Sequence, residues 1–270
     1  MSPAEFVPIA ESSGVILLRG RWVMREACRQ MKPWVDSGIA QAVIAVNISC
    51  LQFKTPRELE SDIGVTLAET GLPPQYLELE LTETALMDVS REHNDVIERF
   101  HHRGIRLAID DFGTGYSSLD YLHPYPVDRL KIAQVFVTDL VAGRGAAAIV
   151  KAAIGLAREL KINVIAEGIE TPEQAELLRG WGCREGQGFY FSKPLLAKEV
   201  EPMLRCCART TSPILRRSAK WQCGPGMVLR CGLSGIPHPC ELDENCGPAL
   251  LFAIAPPVIA KVRHRSTLNG

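Results

Sequence analysis

The chain has 270 residues, of which 46% are hydrophobic and 23% charged, and its formal net charge is −1. These values predict a globular protein of one large or two small domains. No stretch approaches the ~20 apolar residues that a membrane span requires, and no N-terminal secretory signal is visible, so we expect a cytoplasmic protein without a membrane segment.

Charge and cysteine are distributed unevenly. Residues 205–270 carry nine Lys or Arg against three Asp or Glu, together with six of the nine cysteines and seven prolines. We therefore predict a domain over 1–204 and an irregular, basic tail over 205–270. The cysteines of the tail lack the close CxxC pairs of zinc sites, and His238 beside Cys240 is not expected to be a ligand. A basic excess without interleaved aromatic residues is a weak indication of nucleic-acid binding, so we expect no nucleic-acid partner.

Predicted helices and strands alternate along residues 1–204. Amphipathic stretches predict helices, and short apolar runs rich in β-branched residues predict strands. In chain order, the predictions are a helix start at Ser2, a helix over Val15–Ser37, strands over Ala42–Ser49 and Leu77–Glu83, a helix over Arg91–His102, strands over Arg106–Phe112 and Arg129–Ile132, a helix over Ala146–Leu160, a strand over Asn163–Ile169, a helix over Pro172–Gly180 and a strand over Gly188–Ser192. This order predicts an α/β protein with a parallel sheet, either an open doubly wound sheet or an incomplete (β/α)8 barrel. No glycine-rich nucleotide-binding pattern follows any predicted strand.

Polar side chains lie at or beside the end of every predicted strand. Asp110 and Asp111 directly follow an apolar run; two adjacent carboxylates are costly to desolvate, and their hard oxygens suit Mg²⁺ or Mn²⁺. An Asp-Asp pair alone is more typical of a solvated turn than of a metal site. Polar groups at all six strand ends, with this pair among them, instead indicate the active-site face of a barrel. The groups are Asn47, Glu80 with Glu83, Asp110 with Asp111, Lys131, Glu167 with Glu170, and Gln187.

Six motifs, in order, resemble those of EAL domains, the bacterial phosphodiesterases of cyclic di-GMP. They are Val46-Asn47-Ile48-Ser49, Glu80-Leu81-Thr82-Glu83, Asp110-Asp111-Phe112-Gly113-Thr114-Gly115-Tyr116-Ser117, Leu130-Lys131-Ile132, Ala166-Glu167-Gly168-Ile169-Glu170 and Gln187-Gly188-Phe189. The resemblance runs from about Ser2 to Leu204. It implies a (β/α)8 TIM-type barrel with an atypical antiparallel first strand. It also implies hydrolysis of cyclic di-GMP to linear pGpG at a two-metal site, often in a homodimer formed through the loop after Asp111.

The resemblance further implies a ligand set for two Mg²⁺ or Mn²⁺ ions. Asn47, Glu80 and Asp110 would hold the first metal. Asp110 would bridge to the second, which Asp111 and Glu167 complete. Two metals in such a site can activate a water and neutralise the charge that develops on a phosphodiester.

The remaining motif residues would have supporting roles. Lys131, with Glu167 and Glu83, would make up the catalytic group: Lys131 would hydrogen-bond the nucleophilic water, and Glu83 would brace the loop after Asp111. Gln187 and Glu170 would support the metal and the bound ligand.

The sequence departs from the family pattern in two places. The two strands that open the family's barrel, including the one with the Glu-Ala-Leu tripeptide and its metal-ligand Glu, are expected to be lacking. Ala133 stands where the family has Asp, so a carboxylate has become a methyl group. Both departures predict weaker metal binding and impaired activity. The alternatives are a catalytically inactive module that binds cyclic di-GMP or a protein, and an unstable fragment.

Overall fold

The computed structural model describes residues 3–39, 42–87, 91–115, 125–141, 143–210, 228–231 and 252–254. Its strands are β1 (Val43–Asn47), β2 (Leu77–Thr82), β3 (Arg106–Phe112), β4 (Arg129–Ile132), β5 (Asn163–Ala166), β6 (Glu185–Gly186), β7 (Val228–Cys231) and β8 (Phe252–Ile254). Its helices are α1 (Pro3–Ser12), α2 (Val15–Asp36), α3 (Cys50–Phe53), α4 (Pro56–Thr70), α5 (Glu83–Met87), α6 (Arg91–His102), α7 (Gln134–Thr138), α8 (Arg144–Glu159), α9 (Pro172–Gly180) and α10 (Ala197–Thr210), with a 3-10 turn at Pro74–Tyr76.

The strands form one parallel sheet in the order β6-β5-β4-β3-β2-β1-β7-β8. From β1 to β6 the order in the sheet follows the order in the chain, with helical connections as parallel pairing requires. The sheet curls: Arg129 on β4 contacts both Glu78 on β2 and Glu185 in β6, two strands away on either side. The α/β prediction is confirmed, and the sheet is consistent with a partial barrel.

The predicted helix and strand positions agree closely with the structure as far as Ala166. The capping box at the start of α9 is present: the Thr171 side chain accepts from the Gln174 N–H, and the Gln174 side chain accepts from the Thr171 N–H. The other predicted cap, Ser2, lies outside the described residues. The four helices predicted by their bounds begin and end within two residues of α2, α6, α8 and α9.

The prediction of a sixth strand over Gly188–Ser192 is wrong. The strand that pairs with β5 is Glu185–Gly186, and a turn follows it, closed by the Phe191 N–H that donates to the Gly188 carbonyl at 3.1 Å. A Cβ at Gly188 would lie 2.0 Å from the Ile169 carbonyl oxygen. The backbone therefore folds tightly against Ile169, and the apolar run Phe189–Phe191 forms part of the turn.

The two faces of the sheet have opposite chemistry. In β2, Leu77, Leu79 and Leu81 belong to a large apolar core shared with the helices, whereas Glu78 and Glu80 point to the other side because side chains alternate along a strand. Each fully buried leucine contributes about 1.5–3 kcal/mol to stability. The helices thus cover the outer face, and the inner face combines these charged groups with a small apolar cluster of Val43, Ala45 and Ile165.

Helix α2 shows how the outer face is covered. Its buried residues recur every three or four positions, so one stripe faces the core and contacts β1 and α4. The stripe consists of Ile16, Val23, Met24, Ala27, Cys28, Met31 and Trp34. Among the helices of the described ranges, none combines the length and apolar character that a membrane crossing requires.

The predicted tail is described only in part. Helix α10 runs across position 205, and two short strands, β7 and β8, extend the sheet beyond β1. His238 and Cys240 lie outside the described residues, as do the other residues between these elements. The division into a domain over 1–204 and a tail over 205–270 remains a prediction.

Candidate active site

The curled sheet brings five of the predicted site residues together. Asn47, Glu80, Asp110, Lys131 and Glu167 come from five successive strands, at or near their carboxyl ends. Asn47 lies opposite Glu80 on the neighbouring strand, whereas Glu80 and Lys131 lie opposite residues two positions before Asp110 and Glu167. Four of these side chains are buried, and only Asn47 is exposed. A buried cluster of this kind at one edge of a parallel sheet has the layout of a barrel active site.

Lys131 occupies the centre of the cluster. Its ammonium nitrogen lies 3.0 Å from Glu80 Oε1, 2.6 Å from Asp110 Oδ1 and 2.7 Å from Glu167 Oε1, and the side chain is fully buried. One positive charge therefore serves three carboxylates. Burial, followed by the negative charges of Asp110 and its neighbours, raises the pKa of Glu167 well above its usual range. The site has an excess of negative charge that further cations would relieve.

Asn47 joins two of these carboxylates. With its amide nitrogen turned toward them, Asn47 donates to Glu80 Oε2 at 3.2 Å and to Asp110 Oδ2 at 3.1 Å. Rotating the amide by 180° turns its oxygen toward the same two carboxylates, and all three then offer only oxygen acceptors. Such a set of acceptors is suited to a hard divalent cation.

Asp111 is aimed at the site by an irregular backbone. The β3–β4 pairing shifts register between Ile109 and Phe112, and Asp111 has φ 54°, in the left-handed region. Aspartate is one of the few residues besides glycine that adopt this conformation as single residues, because its short side chain can hydrogen-bond locally. Oxygens of Asp110, Asp111 and Glu167 lie within 4.8 Å of one another. The donor set therefore fits Mg²⁺ or Mn²⁺ in its chemistry and its spacing.

Glu83 contacts the loop after Asp111. Its Oε2 atom accepts hydrogen bonds from the Gly113 N–H at 3.1 Å and the Gly115 N–H at 3.3 Å. A Cβ at Gly115 would lie 3.1 Å from the Glu83 carboxylate, so the close approach favours glycine. The remainder of this loop, residues 116–124, lies outside the described residues, and with it the surface expected to form the dimer contact.

Gln187 and Glu170 differ in their placement. The Gln187 N–H donates to the Ala166 carbonyl at 2.8 Å, which places Gln187 beside Glu167, and its side-chain oxygen is buried without a hydrogen-bond partner in the described part of the chain. A cation or a ligand donor would satisfy this oxygen. The Glu170 side chain is exposed, and the backbone N–H of Glu170 donates to Gln174 Oε1 at 2.8 Å. The structure does not bring the Glu170 carboxylate into the close group of Asp110, Asp111 and Glu167.

Sequence reasoning missed a second buried group of charges. Arg129 Nε lies 3.1 Å from Glu78 Oε2, and Arg129 Nη1 contacts Glu185 Oε2. The signal was present, because Glu78 and Arg129 stand two residues before Glu80 and Lys131 and therefore share their face.

Gln174 was recognised only as part of a helix start. Its side chain also donates to the Val137 carbonyl at 3.1 Å, so it ties the loop that carries Glu167 to α7. Ala133 begins that helix and is buried.

Comparison with known proteins identifies the family of the chain. A family model described as "EAL domain" matches residues 1–194. Over 202 residues the chain is 41% identical to "Signaling protein YkoW" of Bacillus subtilis, covering 75% of this chain and 25% of that protein. Over 200 residues it is 41% identical to "Bifunctional diguanylate cyclase/cyclic di-GMP phosphodiesterase MucR" of Pseudomonas aeruginosa, covering 74% and 29%. The chain thus spans about a quarter to a third of the length of these relatives.

A solved structure shows the same fold. The structure named "PaMucR Phosphodiesterase, c-di-GMP complex" is 41% identical in sequence and superposes with a TM-score of 0.71. The match covers 74% of this chain and 81% of that one.

Proposed function

Since the chain belongs to the EAL domain family, we propose that it hydrolyses cyclic di-GMP to linear pGpG with the help of two divalent cations. One observation carries the proposal: the Lys131 ammonium lies among the carboxylates of Glu80, Asp110 and Glu167, at the sheet edge where Asn47 adds an amide and Asp111 a further carboxylate. The MucR relative, named as a cyclic di-GMP phosphodiesterase, and the MucR structure, named as a c-di-GMP complex, support the substrate.

The cations would be Mg²⁺ or Mn²⁺. Asn47, Glu80 and Asp110 would hold one, and Asp110, Asp111 and Glu167 would hold the other, because hard oxygen ligands suit both ions. When bound, the cations would supply positive charge against the charge that develops on the phosphodiester oxygens. Their arrival would also offset the mutual repulsion of the carboxylates, which burial strengthens at Glu167.

The protein's own groups would orient the reactants. Lys131 would donate a hydrogen bond to the water that attacks phosphorus in place of one of its three present carboxylate partners, since its Nζ lies among the cation ligands. Glu83 would fix the loop after Asp111 through the N–H groups of Gly113 and Gly115. Gln187 would satisfy its buried oxygen with a cation or a ligand donor. Glu170, whose side chain is exposed, would act only at the rim of the ligand site.

Turnover is proposed to be reduced by Ala133. This methyl side chain is buried at the start of α7, two residues after Lys131, where the family resemblance places a carboxylate. Less negative charge near the cations weakens their binding. Ala133→Asp is expected to lower the Mn²⁺ concentration needed for half-maximal hydrolysis. The variant Ala133→Asn, which adds similar bulk without charge, is the matched control.

A homodimer is the proposed assembly. The loop after Asp111 packs on α7, since a Cβ at Gly113 would lie 2.9 Å from Phe136. Val135 and Ile149 nearby are 53% and 42% exposed, which provides apolar surface for a second copy. Light scattering should give twice the chain mass, and Ile149→Glu should give a monomer.

The decisive experiment is the hydrolysis of cyclic di-GMP by the purified chain in Mn²⁺ or Mg²⁺, followed by chromatography of pGpG. Asp110→Asn is expected to reduce kcat/KM by more than the 10–100-fold typical of residues that only support metal ligands. Asp36→Asn, an exposed acid on α2, is the control and should retain activity. Chelation of the cations should abolish product formation.

A second candidate function is a receptor that binds cyclic di-GMP without turnover. Ala133 favours it, because an expected carboxylate is absent from the site. Calorimetry that shows binding of cyclic di-GMP, together with the absence of pGpG at saturating Mn²⁺, would replace the enzyme proposal by this one.

A further inference from the structure

A second layer of charge lies beneath the site on the inner face of the sheet. In three alternate strands, a charged residue stands two positions before a residue of the site, on the same face. Two residues along a strand span about 6.6 Å, which is the depth of this lower layer. The pairs are Glu78 below Glu80, Arg129 below Lys131, and Glu185 below Gln187.

Arg129 holds the lower layer together. Its guanidinium contacts Glu78 through Nε at 3.1 Å and Glu185 through Nη1. The side chains of Arg129 and Glu78 are 3% and 0% exposed, so water cannot take over their pairing. Burial raises the pKa of Glu78 above its usual range, and the charges of Arg129 and, more weakly, of Arg106 on β3 oppose that rise.

Each layer has more carboxylates than cationic side chains. The lower layer has two carboxylates and the Arg129 guanidinium, and the upper layer has three carboxylates around the Lys131 ammonium. Lys131 follows Arg129 by two residues, and lysine has a long, flexible side chain. Without the Arg129 charge, Glu78 and Glu185 would lose the cation that pairs with them, and the Lys131 ammonium is carried two residues further along the same face of the strand.

We propose that Arg129 is a positioning residue: by pairing with Glu78 and Glu185, it keeps the Lys131 ammonium on the upper carboxylates. The consequence for turnover rests on the proposed function, whereas the position of the ammonium does not. The ion pairs of Arg129 are with Glu78 and Glu185 and not with the proposed cation ligands, so its loss is expected to reach the site through Lys131.

The test compares Arg129→Met with the triple variant Glu78→Gln, Arg129→Met, Glu185→Gln. The first leaves the carboxylates of Glu78 and Glu185 without their guanidinium, and the second removes the charges of all three residues. The ¹H–¹⁵N signal of the Lys131 ammonium in the metal-free protein, assigned with Lys131→Arg, reports the position of the ammonium. The kcat and KM for cyclic di-GMP hydrolysis in Mn²⁺ report whether the ammonium still supports turnover.

Arg129→Met is expected to move the Lys131 signal and to lower kcat by about 10–100-fold, as is typical for loss of a residue that orients a metal-site group. KM should stay within threefold. The triple variant should restore both the signal and kcat, because the competing carboxylates are gone. Arg99→Met, an exposed arginine paired with Glu60, is the matched control and should change neither.

Two results would overturn the proposal. One is an unchanged Lys131 signal in folded Arg129→Met; the other is a folded triple variant with a displaced signal or with kcat as low as that of the single variant. If Arg129→Met does not fold, the triple variant decides by the same criteria. If the wild-type chain releases no pGpG, the proposed function fails, but the Lys131 signal still decides whether Arg129 positions the ammonium.

Discussion

Side chains are buried on both faces of the sheet, but burial stabilises the outer face and costs stability on the inner face. Leu79 and Glu80 are adjacent in β2 and are each about 1% exposed, yet one lies in the apolar core and the other in a cluster of charges. The outer face gains stability from area removed from water. The inner face gives up stability, because buried ion pairs rarely recover their desolvation cost. The difference identifies the inner face as the one shaped by function.

The ion pairs of the molecule divide in the same way. Glu60 on α4 is paired with Arg99 and Arg103 at the surface, where water can replace either partner. Lys131 and Arg129 are paired where water cannot reach. Ion pairs of similar length are therefore expected to differ in the free energy that their loss costs.

Lys131→Met is expected to have the largest effect on stability. It removes the buried cation from among three carboxylates, and breaking a buried pair in this way costs about 3–5 kcal/mol. Urea unfolding measures the loss. Mn²⁺ should recover more free energy of unfolding in the variant than in the wild type, because the ion takes the place of the ammonium. A loss that is the same with and without Mn²⁺ would show that the cluster is not a cation site.

Leu79→Ala is expected to cost about 2–5 kcal/mol through the cavity that it leaves in the outer core. Mn²⁺ should recover no more of this loss than it adds to the wild type, since the outer face holds no cation ligand among the described residues. Leu18→Ala, at a position 69% exposed, is the control and should change the free energy of unfolding by less than about 0.5 kcal/mol. If Mn²⁺ raised the free energy of unfolding more in Leu79→Ala than in the wild type, the two faces would not differ in cation binding.

Cys183 tests how strongly the outer core excludes charge. Burial raises the pKa of its thiol to about 12. The folded protein therefore keeps a proton that the unfolded chain loses. The stability that Cys183 contributes is complete below the ordinary thiol pKa of about 8.5 and falls as pH rises through that value, by up to about 1.4 kcal/mol per unit.

The measurement is the free energy of unfolding at pH 8 and pH 10, for the wild type and for Cys183→Ala. The wild type should lose more stability than the variant over this interval. Equal losses would mean that the thiol titrates alike in both states, contrary to its burial among apolar residues.

Glu60→Gln is expected to have the smallest effect, about 0.5 kcal/mol at pH 7, because surface pairs are screened by water and salt. The hydrogen bond from Arg99 lowers the pKa of Glu60. The contribution is therefore complete above the ordinary carboxyl pKa and is lost as pH falls below it. Thermal melts at pH 7 and pH 3, in low salt and in 1 M NaCl, measure it; a loss as large as that of Lys131→Met would contradict the comparison of surface and interior.

Much of the fold was predictable because it depends on local signals. The capping box at Thr171 and the alternation in Leu77–Thr82 act within a few residues, so a short window of sequence contains them. The sixth strand was misplaced because Phe189–Phe191 is apolar in a turn as well as in a strand. What decides between the two is the close approach of Gly188 to Ile169, about twenty residues away.

The site was predictable in its composition but not in its pairing. Asp110, Lys131 and Glu167 were predicted from their motifs. That one ammonium would contact three carboxylates depends on the curl of the sheet, which no local pattern specifies. The layer below was missed for the same reason, since the Arg129 and Glu78 side chains that meet there are 51 residues apart.

By itself, the sequence determined which residues are apolar or charged, their period of two along each strand, and the motifs that identify the family. These properties belong to single residues or short segments. The pairing of the charges follows from the tertiary structure. So do the burial of Glu167 beside an exposed Glu170 and the position of the Arg129 side chain in the layer below Lys131. The register and curl of neighbouring strands set these distances, and both arise from the packing of the whole sheet against its helices.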